Sequence, residues 1–244
     1  MTSTLSGKTL LITGGTGCLG QAMVLKALAE GGRVFFTWTQ ARDKAEFLEA
    51  QGAKGFQLNL ADMRKIEEFA DLFRTAAPRL DVLIHNAATV RDKLLRDMEE
   101  EDWDEVLTVD LKAPFFLTQK LFPALRSAKS AKIFMLISRA ANLGAYGASN
   151  YSAAKAALVG LVKSLAQEWG PEGILVNAVN PGFMLSRMTE NLAEEYLEKN
   201  RNASPLSQYS DPEEVARFML YLCSDAMTQV TGQVFHFESR RIPF

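Results

Sequence analysis

The chain has 244 residues, 48% of them hydrophobic and 23% charged, and 27 Lys and Arg against 29 Asp and Glu leave a net charge of −2. That balance excludes a disordered chain and a broad basic face for nucleic acid or anionic lipid. No apolar run approaches the ~20 residues that span a bilayer, and the first fifteen residues lack the apolar core of a secretory signal. With two cysteines and two histidines, neither a disulfide framework nor a metal cluster is expected, and the composition reads as a soluble cytoplasmic protein.

Strand and helix signals alternate along the chain. Residues 9–13 (TLLIT) form a short apolar run, a glycine-rich turn follows, and 21–30 has helical spacing up to Gly31-Gly32. Residues 33–39 (RVFFTWT) carry the aromatic and β-branched side chains that strands favour. A polar helix over 41–51, a strand near 54–58, a helix over 62–77 and a strand over 81–85 come next. A long helix is predicted over 102–126, kinked at Pro114. Residues 132–138 (KIFMLIS) read as a strand and 150–169 as a helix stopped by Gly170-Pro171. A strand over 174–179, a helix over 212–224 and a strand over 233–237 complete the pattern. Residues 185–209, polar and irregular, are the expected mobile lid.

Strands that are apolar throughout and separated by helices imply a parallel sheet covered on both faces. The expectation is a doubly wound α/β fold forming a single domain over 1–244, without repeats or linkers.

TGGTGCLG, residues 13–20, follows the first strand and opens the first helix. Gly15, Gly17 and Gly20 match G-x-G-x-x-G, which lets backbone approach a dinucleotide pyrophosphate at a helix N-terminus. Out of that context the same residues would be only a tight turn. The second strand ends Thr37-Trp38-Thr39-Gln40-Ala41-Arg42, and no carboxylate appears before Asp43. An acid there bonds the ribose 2′-hydroxyl of NAD; its lack favours NADP(H), with Thr37, Thr39 and Arg42 as candidate 2′-phosphate contacts and NAD(H) still possible.

Tyr151 and Lys155 are four residues apart near the start of a helix and so share a face. Ser138 closes the strand before them, where ligands bind in open α/β sheets. A tyrosine hydroxyl can protonate a nascent alkoxide, a serine can hydrogen-bond the carbonyl oxygen, and a lysine cation favours tyrosinate.

With these residues in hand, the chain resembles the short-chain dehydrogenase/reductase family over essentially its whole length, and within it the β-ketoacyl-[acyl carrier protein] reductase group. The resemblance rests on TGGTGCLG, LNLAD (58–62), HNAA (85–88), RDKLL (91–95), the Ser138, Tyr151 and Lys155 set, and NPGFM (180–184). It implies a Rossmann-type sheet of seven strands, assembled as a homotetramer or homodimer through the helices carrying Tyr151 and residues 107–125. It also implies that Gly14, Gly15, Thr16, Gly17, Leu19 and Gly20 hold the pyrophosphate, Asn59 and Leu60 border the adenine, and Asn86, Ala87 and Ala88 line the ribose. Pro181, Gly182, Met184 and Ser186 would face the nicotinamide amide, with Thr37, Tyr151 and Lys155 also at the cofactor. No metal is implied.

Several residues depart from the family pattern. Cys18 stands where a middle glycine is expected, and His85 and Ala88 replace an asparagine and a glycine; His85 reads as a buried strand end. Asp110 stands where many members carry the asparagine of a catalytic tetrad, and an ionised aspartate there raises the lysine pKa and opposes tyrosinate formation. Arg126, Lys129 and Lys132 form a small basic cluster expected near the site entrance, whereas Glu172 falls where a second basic contact belongs. Glu238-Ser239-Arg240-Arg241 replaces a glycine-containing end.

The expected function is NAD(P)H-dependent reduction of a 3-oxoacyl thioester to the 3-hydroxyacyl thioester, as in fatty acid synthesis, on a small-molecule or carrier-protein-bound acyl substrate. A reductase for another small alcohol, sugar or polyketide-like ketone and, in a different class, a cofactor-binding non-catalytic partner subunit are the alternatives.

Overall fold

A computed structural model describes residues 5–190, 192–238 and 240. Seven strands, β1 (Thr9–Ile12), β2 (Arg33–Trp38), β3 (Lys54–Gln57), β4 (Val82–His85), β5 (Lys132–Leu136), β6 (Leu175–Asn180) and β7 (Val234–His236), form one sheet in the order β3-β2-β1-β4-β5-β6-β7. Every pairing is parallel. The chain order reverses between β1 and β4, and a crevice opens outside the carboxyl ends of those strands.

The doubly apolar strands have a direct packing consequence. Along β1, Leu10 and Ile12 enter one core while Leu11 enters the other, as the two-residue period of a strand requires. The first core lies beneath α3 (Met63–Ala76), α5 (Ala113–Arg126) and α7 (Ser149–Trp169), around Phe35, Phe73, Leu117 and Val162. The second lies beneath α1 (Cys18–Ala29), α2 (Arg42–Ala50) and α9 (Pro212–Cys223), around Phe36, Val24 and Met219. Burial of each large side chain contributes about 1.5–3 kcal/mol.

The predicted helix over 102–126 is a continuous helical run from 100 to 126: α4 (Glu100–Leu107) passes through a π-helical turn over Thr108–Lys112 into α5. Pro114 stands directly after that turn, where the ladder already changes its spacing. The irregular segment 185–209 contains a further helix, α8 (Glu194–Asn202), and a one-turn helix α6 (Ala140–Leu143) follows β5. Both are short and highly polar or small in composition, leaving no apolar stripe to read.

The basic cluster of Arg126, Lys129 and Lys132 does not flank the crevice. Lys132 opens β5, at the opposite end of the strand from Ser138, and is buried. Its Nζ donates to the carbonyls of Leu222 and Ser224 at the end of α9, so helix termination engages the charge that composition suggested was on the surface. Arg126 is spent on Glu172, Nε to Oε2 2.8 Å. Among the described residues no helix is long and apolar enough to cross a membrane, and no cluster of three or more His, Cys, Asp or Glu could hold a metal. Residues 1–4, Ser239 and 241–244, ends of the expected domain and part of the tail departure, lie outside the described residues.

Candidate active site

The crevice is a cleft of about 2110 Å³, more than twice the roughly 300–1,000 Å³ of an ordinary small-molecule site, so it has room for a dinucleotide and a second ligand. Gly14, Thr16, Gly17, Leu19 and Gly20 line one end, and Asn59, Leu60, Asn86, Ala87 and Ala88 line the middle. Ser138, Tyr151, Lys155, Pro181, Gly182, Met184 and Ser186 line the other end. The expected site residues are therefore brought together, except that Asp110 lies buried behind Lys155 and that Gly15 and Thr37 do not line the cleft.

Gly15 and Thr37 sit beneath the loop and shape it. Thr37 is buried; its Oγ1 accepts from the Gly14 N–H at 3.3 Å and its carbonyl accepts from the Gly15 N–H at 2.9 Å. The expectation that Thr37 contacts a 2′-phosphate is thus corrected, because strand alternation turns its side chain towards the loop's backbone. Gly15 packs on Phe36, where a Cβ would stand 2.6 Å from the Phe36 Cβ. Arg42 is also displaced from that role: its exposed guanidinium binds Glu46, Nε to Oε1 3.0 Å, one turn along α2. Thr39, the third expected contact, does line the cleft, together with Gln40 and Lys44. Lys44, in the first turn of α2, reaches the cleft through the packing of that helix, which no local sequence pattern records.

The loop fits a pyrophosphate. A Cβ on Gly20 would stand 2.2 Å from the Gly14 carbonyl oxygen, so the close backbone approach falls at position 20. Cys18, first residue of α1, is exposed. The N-terminus of α1 has no side-chain cap and no acidic residue in its first turn, which leaves N–H groups and the positive dipole end for an anion. Asn86 ties the loop to β4 by donating to the carbonyls of Thr13 and Gly14 at 3.0 and 3.1 Å. Gly182 has φ +80°, and a Cβ there would lie 2.1 Å from Ser210 Oγ, which fixes the 181–186 wall.

At the other end, Asn150 positions the start of α7. Fully buried, it donates to the carbonyls of Arg91 and Asp102 and accepts from the Tyr151 N–H at 2.8 Å. Lys155 Nζ donates to the Leu136 carbonyl at 3.2 Å, lies 3.1 Å from Asp110 Oδ2, and stands 5.4 Å from the Tyr151 ring centroid. The π-helical turn carries Asp110 inward to full burial, where Oδ1 accepts from the Thr89 N–H at 2.8 Å. π-turns inside helices recur at functional sites. Ser138 accepts from the Ala140 N–H at 3.2 Å, and its hydroxyl acts to lower the Tyr151 phenol.

The electrostatics are those of a coupled triad. Burial raises the Asp110 carboxyl above its usual range, partly opposed by Lys155. Burial lowers Lys155, but the Asp110 carboxylate and Tyr151 outweigh it and the ammonium is held above its usual range. Burial raises the Tyr151 phenol; Lys155 and the Ser138 hydrogen bond oppose this, Asp110 and Asp92 add to it, and the net direction is up. The lysine acts in the expected direction, and desolvation and Asp110 act against it. His85 is buried against α5, Nε2 to Thr118 Oγ1 2.7 Å, and burial with the charge of Lys155 pushes it down to about 3. It is a neutral structural residue, as the sequence suggested.

Comparison with known proteins agrees with this geometry. The family model described as Enoyl-(Acyl carrier protein) reductase matches residues 15–239. A 3-oxoacyl-[acyl-carrier-protein] reductase FabG from Aquifex aeolicus is 37% identical over 238 residues, covering 95% of this chain and 96% of the relative. One of the same name from Thermotoga maritima is 38% identical over 236 residues, covering 94% and 96%. Among solved structures, the Pseudomonas aeruginosa RhlG/NADP active-site complex superposes with a TM-score of 0.90 at 29% identity, covering 97% of this chain and 96% of the other. A Serratia marcescens short-chain dehydrogenase/reductase does so with a TM-score of 0.88 at 27% identity, covering 96% and 98%. The chain belongs to the short-chain dehydrogenase/reductase family.

Proposed function

We propose that the protein is an NADP(H)-dependent reductase that converts a 3-oxoacyl thioester to the 3-hydroxyacyl thioester. The observation that carries this reading is the convergence of Ser138, Tyr151 and Lys155 at one end of a cleft whose other end is an uncapped helix N-terminus behind a glycine loop. Two FabG relatives more than a third identical over nearly the whole chain supply the substrate class, acyl groups on a carrier protein.

In this reading Gly14, Thr16, Gly17, Leu19 and Gly20 hold the pyrophosphate, with Gly15 and Thr37 bracing the loop from below. Asn59 and Leu60 border the adenine, Asn86, Ala87 and Ala88 the ribose, and Pro181, Gly182, Met184 and Ser186 the nicotinamide amide. Lys44, with no carboxylate beside it on the second strand's end, supplies the cation for a 2′-phosphate. The cofactor, when bound, supplies a hydride to the carbonyl carbon. Ser138 donates a hydrogen bond to the carbonyl oxygen, and the Tyr151 hydroxyl donates its proton as that oxygen gains charge. Lys155 holds positive charge beside Tyr151, and Asp110, fixed by Thr89, holds Lys155.

The 185–209 segment, with Tyr196 and Lys199 of α8 on the cleft, closes over the acyl chain. The protein acts in the cytoplasm as a homodimer or homotetramer paired through α5 and α7. The exposed Phe115 and the small exposed residues Ala156, Ala157 and Gly160 support a close helix contact there. Oxidation of NADPH and of NADH by 3-oxobutanoyl thioester tests the reading: turnover with a preference for NADPH is expected, and tighter binding of NADH overturns the cofactor assignment.

A further inference from the structure

On the Ser138 side of the cleft lies a charge that the reaction does not use. Arg139 follows Ser138 directly and lines the cleft, half-buried, its guanidinium without a hydrogen bond or ion pair to any described residue. Its neighbour Arg240 is fixed and almost fully buried. Arg240 Nε and Nη2 donate to Glu238 at 2.7 and 2.6 Å, Nη1 donates to Asn200 Oδ1 at 2.7 Å, and the guanidinium stands 5.7 Å from the Phe183 ring centroid.

Glu238, the carboxylate closest in influence to Arg139, is thereby engaged. The other carboxylates on the cleft are elsewhere: Glu105 binds Arg91, Glu213 binds Lys26, Asp211 caps α9, and Asp92 acts on Tyr151. Burial and Arg240 hold the Arg139 guanidinium below the usual arginine range, with Glu238 and Tyr196 opposing. A desolvated cation beside a second cation is costly until an anion joins it, and a guanidinium fork matches a carboxylate in two parallel hydrogen bonds.

We propose that Arg139, backed by Arg240, binds a carboxylate carried on the acyl part of the substrate, so that the substrate is a carboxylated 3-oxoacyl compound and not a plain aliphatic one. Arg139 is the residue next to Ser138, so the anion it meets lies within a side chain's length of the reacting carbonyl. The phosphate at the far end of a pantetheine arm is too distant for that place. The inference rests on the reductase reading above and names the substrate class of the same site.

The test compares kcat/KM for two thioesters of N-acetylcysteamine, the 3-oxoadipyl half-thioester and its methyl ester, which differ in one charge. A second pair, 3-oxobutanoyl pantetheine with and without its 4′-phosphate, separates the two sources of an anion. The expected result is a preference of about 10- to 100-fold for the free carboxylate, expressed mainly in KM, abolished in Arg139→Gln and partly restored in Arg139→Lys. Equal use of the charged and methylated forms, or a preference confined to the phosphate pair, overturns it. If no thioester is reduced, the reductase reading itself fails, and calorimetric titration with 3-oxoadipate decides this inference separately. Affinity lost in Arg139→Gln and retained in Arg139→Lys supports it, and equal affinity in wild type and Arg139→Gln overturns it.

Discussion

Asp110, Lys155 and Tyr151 act as one electrostatic unit, and its sign can be tested. Asp110→Asn keeps an oxygen for the Thr89 N–H but removes the anion that holds Lys155 up and adds to the raised Tyr151. Both groups should then titrate lower. The alkaline limb of the reduction rate, set by loss of the Tyr151 proton, moves to lower pH, and the limb for alcohol oxidation moves with it. A pH–rate profile of the variant checks this, and an unmoved limb contradicts the coupling. His85 gives a stability test. Its folded pKa of about 3 lies below the ordinary 6.5, so the unfolded chain binds the extra proton between those values. Its contribution is therefore fully present above pH 6.5 and falls as pH drops towards 3, by up to about 1.4 kcal/mol per unit. Urea unfolding of His85→Gln should show a shallower loss over that window. At this scale Ser138, Tyr151 and Lys155 were legible because helical spacing and a strand end fix their faces. Lys44 was not, because which face of the first turn of α2 looks into the cleft depends on how that helix packs.

The first strand, glycine loop and α1 form the element most completely written in the sequence. The structure moves its tightest contact to Gly20, where an added Cβ meets the Gly14 carbonyl at 2.2 Å. Gly20→Ala should cost about 1–3 kcal/mol of stability and weaken NADPH binding, measured by denaturation and by fluorescence titration. The apolar spacing over 102–126 reads as one helix, and the backbone is helical throughout; what the spacing does not show is the π-helical turn inside it. A π-helical turn changes hydrogen-bond length without interrupting composition, so it leaves little trace in the pattern. The start of β5 was equally opaque. Lys132 looks like a surface cation, but tertiary packing sets it against the carbonyls that end α9. Lys132→Met removes the side-chain donor from the Leu222 carbonyl and leaves Ser224 only its bond from the Met227 N–H, and should destabilise the fold by about 1–3 kcal/mol with the substrate KM little changed.

For the molecule as a whole, the alternation of apolar strands and helices dictated a doubly wound sheet, and the strand order places the reversal between β1 and β4. The cofactor end and the Ser138 end of one cleft then come from residues as distant as Gly14 and Gly182. What the pattern could not convey is the enclosure of the far end. α8, Arg139 and the Glu238–Arg240 pair meet there through contacts between segments 40 to 100 residues apart, such as Arg240 with Asn200, and no local period records them. The central claim is that Tyr151 is the proton donor of a carbonyl reduction. The most direct measurement is single-turnover NADPH oxidation by 3-oxobutanoyl thioester in wild type and in Tyr151→Phe, with NADPH affinity read in parallel. The account predicts a rate lowered about 10²- to 10⁴-fold with cofactor affinity retained. A Tyr151→Phe rate close to that of wild type would contradict it.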